Sequence, residues 1–279
     1  MIIGFLGKGG NGKSTMATRL VQSLVREGNN ILAVDADHNM DLTYNLEAPE
    51  DMTYVGTSWD DMKAHCAIEA NNYRLAFSKE PLPQFSFSSP DPFTSKYSHE
   101  LSPSLRIMTA GPHTDQMIYD KSCSHGLFTS LKIYLPLVSL KDNEYVVVDE
   151  KAGTDSVGTG ITTGFSLAYV VCEPTLHGLK AGNQIGEMLE FYGTPYEFIL
   201  NKVTSDEDIE LAKTTLRKEP AFVFRFSPEL LKPNTPLPKE HEEIFAQIVE
   251  SLKKHQNEHP DSRIERTQEK IRRRDELAD

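Results

Sequence analysis

The sequence predicts an α/β fold: a doubly wound, mostly parallel sheet with helices on both faces. Three observations carry this. Short apolar runs rich in β-branched residues alternate with stretches of helical periodicity along most of the chain. The first run leads directly into a glycine-rich turn and then a helix. Two of the runs end in acids, at the carboxyl ends of strands where sites of such sheets gather.

Residues 1–6 (MIIGFL) are apolar and have the length of a buried strand. Residues 7–14 fit G-x-x-x-x-G-K-[ST], the phosphate-binding loop, so the fold expected is that of a P-loop NTPase. Gly7, Gly9, Gly10 and Gly12 let backbone N–H groups close on an anion, and the following helix adds its positive end. Lys13 supplies a charge for the β/γ-phosphates; Ser14 supplies a hydroxyl for Mg²⁺. The helix expected over 13–27 carries Met16, Leu20 and Leu24 beside Ala17, Val21 and Val25, which is helical spacing. Lys8 is an additional lysine inside the loop.

Further strands are expected at 31–35, 105–110, 145–149, 167–172, 196–201 and 222–226. Helices are expected near 126–137, 179–192, 206–218 and 239–255. Asp35 and Asp37 follow the second strand in AVDADHNMDL. Asp149 closes YVVVD, the pattern of a carboxylate that holds Mg²⁺ directly or through water, and Asp37 is placed to orient an attacking water. Capping of turns or helices is the alternative use of these acids.

Two stretches stand apart. Residues 80–103 carry five of the sixteen prolines and many serines, which reads as a long surface loop whose Phe85, Phe87, Phe93 and Tyr97 dock on the body. Residues 256–279 form a charged tail with only Ile264, Ile271 and Leu277 as large aliphatic residues, too sparse for a membrane-binding face, and read as a solvated helix. The organisation expected is one P-loop ATPase domain over 1–255 followed by that tail.

The chain of 279 residues is long enough for a large core. Its net charge of −12 argues against a surface built mainly for nucleic acid. No apolar run reaches transmembrane length, the start lacks a basic leader, and the three cysteines are an odd number, so a cytoplasmic protein without a disulfide framework is expected.

KGGNGKS at 8–14, DADHNMDL at 35–42, DEKAG at 149–153, EPT at 173–175 and NK at 201–202 come in one order that resembles the MinD/ParA class of P-loop ATPases. That class includes partitioning and division-site ATPases, the nitrogenase iron protein and the CooC-type nickel-insertion ATPase of carbon monoxide dehydrogenase. The resemblance spans roughly 1–255, weakest over 47–104. It implies a homodimer that binds and hydrolyses ATP with Mg²⁺. Lys13, with Gly7–Thr15 including Asn11 and Thr15, would hold the phosphates. Lys8 would reach the ATP of the other subunit. Ser14, Asp35 and Asp149 would serve Mg²⁺, and Asp37 the water. Asn201, Lys202, Phe226 and Pro228 would form the adenine end. Asn11 stands where the class has a small or β-branched residue, and His38 where proline is common.

Within the class, the sequence best resembles the CooC-type. That type holds a metal between subunits by a C-x-C before a helix; here the place reads Cys123-Ser124-His125. Cys and His both ligate Zn²⁺ or Ni²⁺, and one pair per chain across a two-fold axis would give a Cys₂His₂ site. The reading is a metallochaperone-like ATPase serving a client metalloenzyme; the alternative is a partitioning or positioning ATPase. A redox role is disfavoured, because an iron–sulfur cluster wants four thiolates and the Cys172 position lies in an apolar strand. The tail lacks the amphipathic helix of a membrane-bound MinD, and an amidoligase of this fold usually lacks the signature lysine.

Overall fold

The computed structural model describes residues 1–113, 124–154, 157–158, 160–258 and 261–276. Eight strands form one sheet: β1 (Ile2–Leu6), β2 (Asn30–Ala36), β3 (His99–Ser102), β4 (Leu105–Thr109), β5 (Glu144–Glu150), β6 (Leu167–Cys172), β7 (Tyr196–Val203) and β8 (Phe222–Arg225). The order is β3-β4-β2-β5-β1-β6-β7-β8, parallel throughout except for β3 on β4.

Alternation along the strands divides the core into two layers. Ile3, Phe5, Ile31, Ala33, Tyr145, Val147, Tyr169 and Val171 face a cluster that includes Met16, Leu20 and Leu24 of α1 (Lys13–Arg26) and Phe245, Ile248 and Leu252 of α8 (Lys239–Glu258). Ile2, Leu6, Leu32, Val34, Val146, Val148, Ala168 and Val170 face the other way, onto α5 (Leu131–Leu137) and α6 (Leu176–Phe191). The doubly wound arrangement thus follows from strands that are apolar on both faces.

The remaining helices are α2 (Asp41–Asn45), α3 (Trp59–His65), α4 (Pro92–Tyr97), α7 (Asp206–Thr215) and α9 (Arg263–Glu276). The helix expected over 126–137 is split into a 3₁₀ turn, Ser124–Phe128, and α5, with the Ser130 hydroxyl tied to that of Ser58 at 2.7 Å between them.

The 80–103 stretch is a loop only as far as residue 91; α4 and β3 follow it. Asp91 caps α4 by accepting from the N–H groups of Phe93 and Thr94 at 2.9 and 3.0 Å, with Pro92 at the first helical position. Phe85, Phe87, Phe93 and Tyr97 are buried, and Phe85 meets Tyr134 at 4.9 Å between ring centroids. Burial of these aromatics outweighs the loop-like composition around them.

Within the 256–279 tail, α9 is docked on the body rather than solvated. Arg263 is buried; its guanidinium donates to the carbonyls of Leu135 and Val138 at 2.9 and 3.3 Å, satisfying the C-terminal end of α5. Thr267 donates to Thr163 at 3.0 Å, and Ile264 and Ile271 pack on the core. Polar anchors replace the apolar stripe that sequence periodicity looks for. Among the described residues, no helix is long and apolar enough to cross a membrane.

Candidate functional site

The glycine-rich loop links the end of β1, the central strand, to α1. Gly7 must be glycine: its φ is +151°, and a Cβ there would lie 2.4 Å from the Val171 carbonyl oxygen. At Gly12, φ is +94° and a Cβ would lie 2.4 Å from Nδ2 of Asn201. These close approaches draw β6 and β7 against the loop. Asn11 donates to the Val171 carbonyl at 2.9 Å, Asn201 to the Asn11 carbonyl at 2.8 Å, and Lys202 to the Gly10 carbonyl at 2.5 Å. Lys202 does so in a left-handed conformation, φ +64°, at an irregularity of the β7–β8 register. Asn11 is therefore a loop brace. The Asn201 side chain is partly spent on the loop it adjoins.

A cleft of about 250 Å³ opens above the loop. Gly9, Gly10, Gly12, Lys13, Ser14, Thr15 and Asp37 line it, together with Asn201, Lys202 and the half-exposed Phe226. Lys13 is buried, whereas Lys8 is exposed and does not line the cleft. The ammonium of Lys8 has no hydrogen-bond or ion-pair partner among the described residues. Pro228 is not part of the lining; its carbonyl accepts from the N–H of Leu231, shaping the turn after Phe226.

The acids behind the loop follow from register. Asp149 pairs with Phe5 on one side and with Asp35 on the other, so two carboxylates stand side by side on neighbouring strands. Asp35 is satisfied: it accepts from the Thr43 N–H and hydroxyl, both at 2.8 Å, and from the Asp37 N–H at 3.2 Å. Even so, burial raises it to about 6. Asp149 is completely buried, and neither carboxylate oxygen has a partner at hydrogen-bond geometry, although the Ser14 hydroxyl is close. Burial first and the Asp35 charge second push it well above the carboxylate range, with Ser14 and Lys13 opposing. An unpaired, buried carboxylate beside a hydroxyl and behind a phosphate loop fits a hydrated Mg²⁺ by donor chemistry.

Glu150 is also fully buried with both oxygens unpaired, raised by burial and then by Asp149. Asp37 is buried at the cleft and accepts from the Asn39 N–H at 3.2 Å. His38 packs against His113 and Phe128, with ring centroids 4.1 and 5.3 Å away; burial and then His113 hold it below its usual range. Cys123 lies outside the described residues, and of His125 only the backbone, in the 3₁₀ turn, is described. Among the described residues, no group of three or more His, Cys, Asp or Glu is arranged to hold a metal ion.

Sequence reasoning missed several parts. Asn39 and Asp41 also line the cleft, and Asp41 is raised by burial and then by Asp37. Both sit in the same DADHNMDL run, which was the available signal. Ser227, Leu230 and Leu231 line the cleft beside Phe226. Their loop is held by Arg19 of α1, which donates to the carbonyls of Glu229, Lys232 and Pro233 at 2.6, 2.5 and 2.9 Å. An arginine in an amphipathic helix carries no sequence mark of that role.

Residues 2–234 match the CobQ/CobB/MinD/ParA nucleotide binding domain family. The chain belongs to this family. It is 28% identical over 227 residues to an uncharacterized ATP-binding protein of Methanocaldococcus jannaschii, covering 78% of this chain and 85% of that one. The cell division ATPase MinD of Pyrococcus furiosus has the same fold, with TM-score 0.61, 19% identity and coverage of 91% and 98% of the two chains. Cyanothece McdA in complex with ATP gives TM-score 0.62 at 17% identity, covering 90% and 95%.

Proposed function

We propose that this chain is an ATP-hydrolysing switch that dimerises around Mg-ATP and presents different surfaces to a protein partner before and after hydrolysis. The observation that carries it is the division of labour between the two loop lysines. Lys13 is buried in its own cleft, while Lys8 is exposed, without a partner among the described residues, and outside the lining of that cleft. An exposed lysine in a phosphate loop that does not serve its own phosphates is suited to another subunit's.

In this reading Lys13 and the loop amides hold the β- and γ-phosphates, and Phe226, Leu230 and Leu231 flank the base. Ser14 and Asp149 would hold Mg²⁺, which neutralises phosphate charge when bound. Asp37 orients the water. Asp35 acts through Thr43, fixing the start of α2 and with it Asp37 and Asp41. Positioning and charge stabilisation supply most of what phosphoryl transfer needs, and these residues provide both.

Relatives of known role favour a positioning or partitioning switch over metal insertion. They include a MinD and a ParA family ATPase, and the Aquifex aeolicus MinD is found in complex with MinC. The CooC-like reading draws on the DEKAG stretch and on Cys123 and His125, and Cys123 lies outside the described residues.

Mg²⁺-dependent phosphate release from ATP tests the activity. The wild type releases phosphate; Asp37→Ala binds ATP with similar affinity and hydrolyses it about 100-fold more slowly. Absence of release by the wild type, or an unimpaired Asp37→Ala, would overturn the reading.

A further inference from the structure

A groove of about 890 Å³ between the C-terminal end of α6 and α9 holds the Lys270 ammonium over the Tyr192 ring at 4.0 Å, but that ammonium is buried and closed to an occupant. The rim of the nucleotide cleft is the reverse, apolar and open. Phe226 is 53% exposed and Leu231 60%, although both line the cleft. Two large apolar side chains left in water at a cleft mouth suit a flat ring that would cover them. They are held by separate means. The Phe226 N–H donates to the Val203 carbonyl at 2.8 Å, so the sheet places it. Leu231 stands on the turns of 227–232, whose own bonds are at the long end of the range. Leu230 to Ser227, Leu231 to Pro228 and Lys232 to Glu229 are each 3.2 Å.

Arg19 supplies what those turns lack. It is 3% exposed and lies on α1, six residues after Lys13, which is about 9 Å along the helix axis. Nη2 donates to the carbonyls of Glu229 and Lys232 at 2.6 and 2.5 Å, and Nη1 to that of Pro233 at 2.9 Å; Nε stays unpaired. Gln22 donates to the same Pro233 carbonyl at 2.9 Å and accepts from Nη1 at 3.2 Å. All four acceptors of the guanidinium are neutral, so its charge is spent on the loop and its brace, where a charged donor makes strong bonds. We propose that Arg19 is a positioning residue for the nucleobase. It fixes the Leu231 side of the base wall at a set distance from the phosphates, and so governs how tightly a nucleoside triphosphate is held rather than how fast its phosphate is transferred. This inference rests on the nucleotide reading of the cleft.

The geometry separates this role from a purely structural one. The helix itself is anchored by Met16, Leu20 and Leu24 in the core, none of which depends on Arg19. Phe226 keeps its bond to β7. The far end of the turns stays tethered as well, since the Asn234 amide donates to the Glu47 carboxylate just past α2. Removing the guanidinium therefore frees chiefly the segment that carries Leu231. A lysine at this place keeps the charge but not the fork that spans three carbonyls, so it restores only part of the hold.

The test compares Arg19→Met and Arg19→Lys with the wild type in Mg²⁺-dependent phosphate release. It also measures binding of ATP and of inorganic tripolyphosphate, which has the phosphates but no base. Arg19→Met is expected to raise KM and the ATP dissociation constant about ten-fold, with kcat and tripolyphosphate affinity within about two-fold of the wild type. Arg19→Lys should fall between. Leu231→Ser, at an exposed position where substitution costs little stability, covers the case of an Arg19→Met chain that does not fold. It should weaken ATP and not tripolyphosphate. An Arg19→Met chain that loses kcat rather than ATP affinity, or that weakens tripolyphosphate as much as ATP, would overturn the proposal. So would an unchanged ATP affinity in Leu231→Ser. A wild type that binds ATP but hydrolyses none contradicts the switch and leaves the two affinities to decide the role of Arg19. A wild type that binds no ATP contradicts the nucleotide reading, and this proposal with it.

Discussion

The nucleotide cleft and the α6–α9 groove both gather cations beside apolar side chains, but they treat charge in opposite ways. In the cleft, Lys13 stands before two buried carboxylates, one satisfied by Thr43 and one, Asp149, left without a partner. In the groove, Lys270 is the unpaired group and its charged neighbours are cations. Unpaired buried charge is costly, and the chain carries it in both signs. The cleft buries a carboxylate without a hydrogen-bond partner and the groove an ammonium without one, so the two regions leave opposite charges unmet.

The contrast breaks most sharply at Asp149. Asp149→Asn should lower hydrolysis about 100-fold or more and raise the melting temperature of the nucleotide-free protein at neutral pH, because burial and then the Asp35 charge push the native carboxyl well above its ordinary range, a cost to folding that the amide does not carry. Phosphate release and calorimetry check both. A lower melting temperature would mean that the carboxylate is paired after all.

Next in size is the difference between a buried and an exposed phenylalanine. Phe85 is buried among His65, Phe93 and Tyr134, so Phe85→Ala should cost about 3–5 kcal/mol in urea unfolding. Phe191→Ala should change stability by no more than about 0.5 kcal/mol, since its ring is exposed. A large cost at Phe191 would make it a structural residue.

The smallest effect is a pH dependence. Burial, then Lys132 and Arg274, lower Lys270 to about 8 from its ordinary 10.5. Between those values the unfolded chain holds the proton and the native one has released it. Stability from this group therefore rises with pH across that window, and Lys270→Met should flatten the rise. Urea titrations at several alkaline pH values would show it. An unchanged slope in the variant would place the Lys270 amine in solvent.

The same contrast explains what the sequence disclosed. The cleft is assembled from contiguous runs, KGGNGKS and DADHNMDL, and from acids that close apolar strands, so its spacing is readable in one dimension. Asp149 and Asp35 were visible as strand ends, but the satisfaction of one and not the other depends on Thr43, which register and α2 bring in. The groove joins Phe191 to residues near 270, and the charged tail lacks a stripe wide enough to signal burial. Its docking depends on Arg263 reaching two carbonyls more than a hundred residues away, which periodicity does not encode. Likewise α3, α4 and the polar β3 were passed over. They have seven, six and four residues, too short for a periodic signal, and are held by tertiary packing.

Lys8 is proposed to serve the other subunit's nucleotide. Light scattering in an Asp37→Ala background, which holds ATP without hydrolysing it, measures this directly. With Mg-ATP the Asp37→Ala chain should have the mass of a dimer and with ADP that of a monomer. The Asp37→Ala chain that also carries Lys8→Ala should bind ATP yet remain monomeric. Dimerisation of that double variant, or failure of the Asp37→Ala chain to dimerise with ATP, would contradict the account.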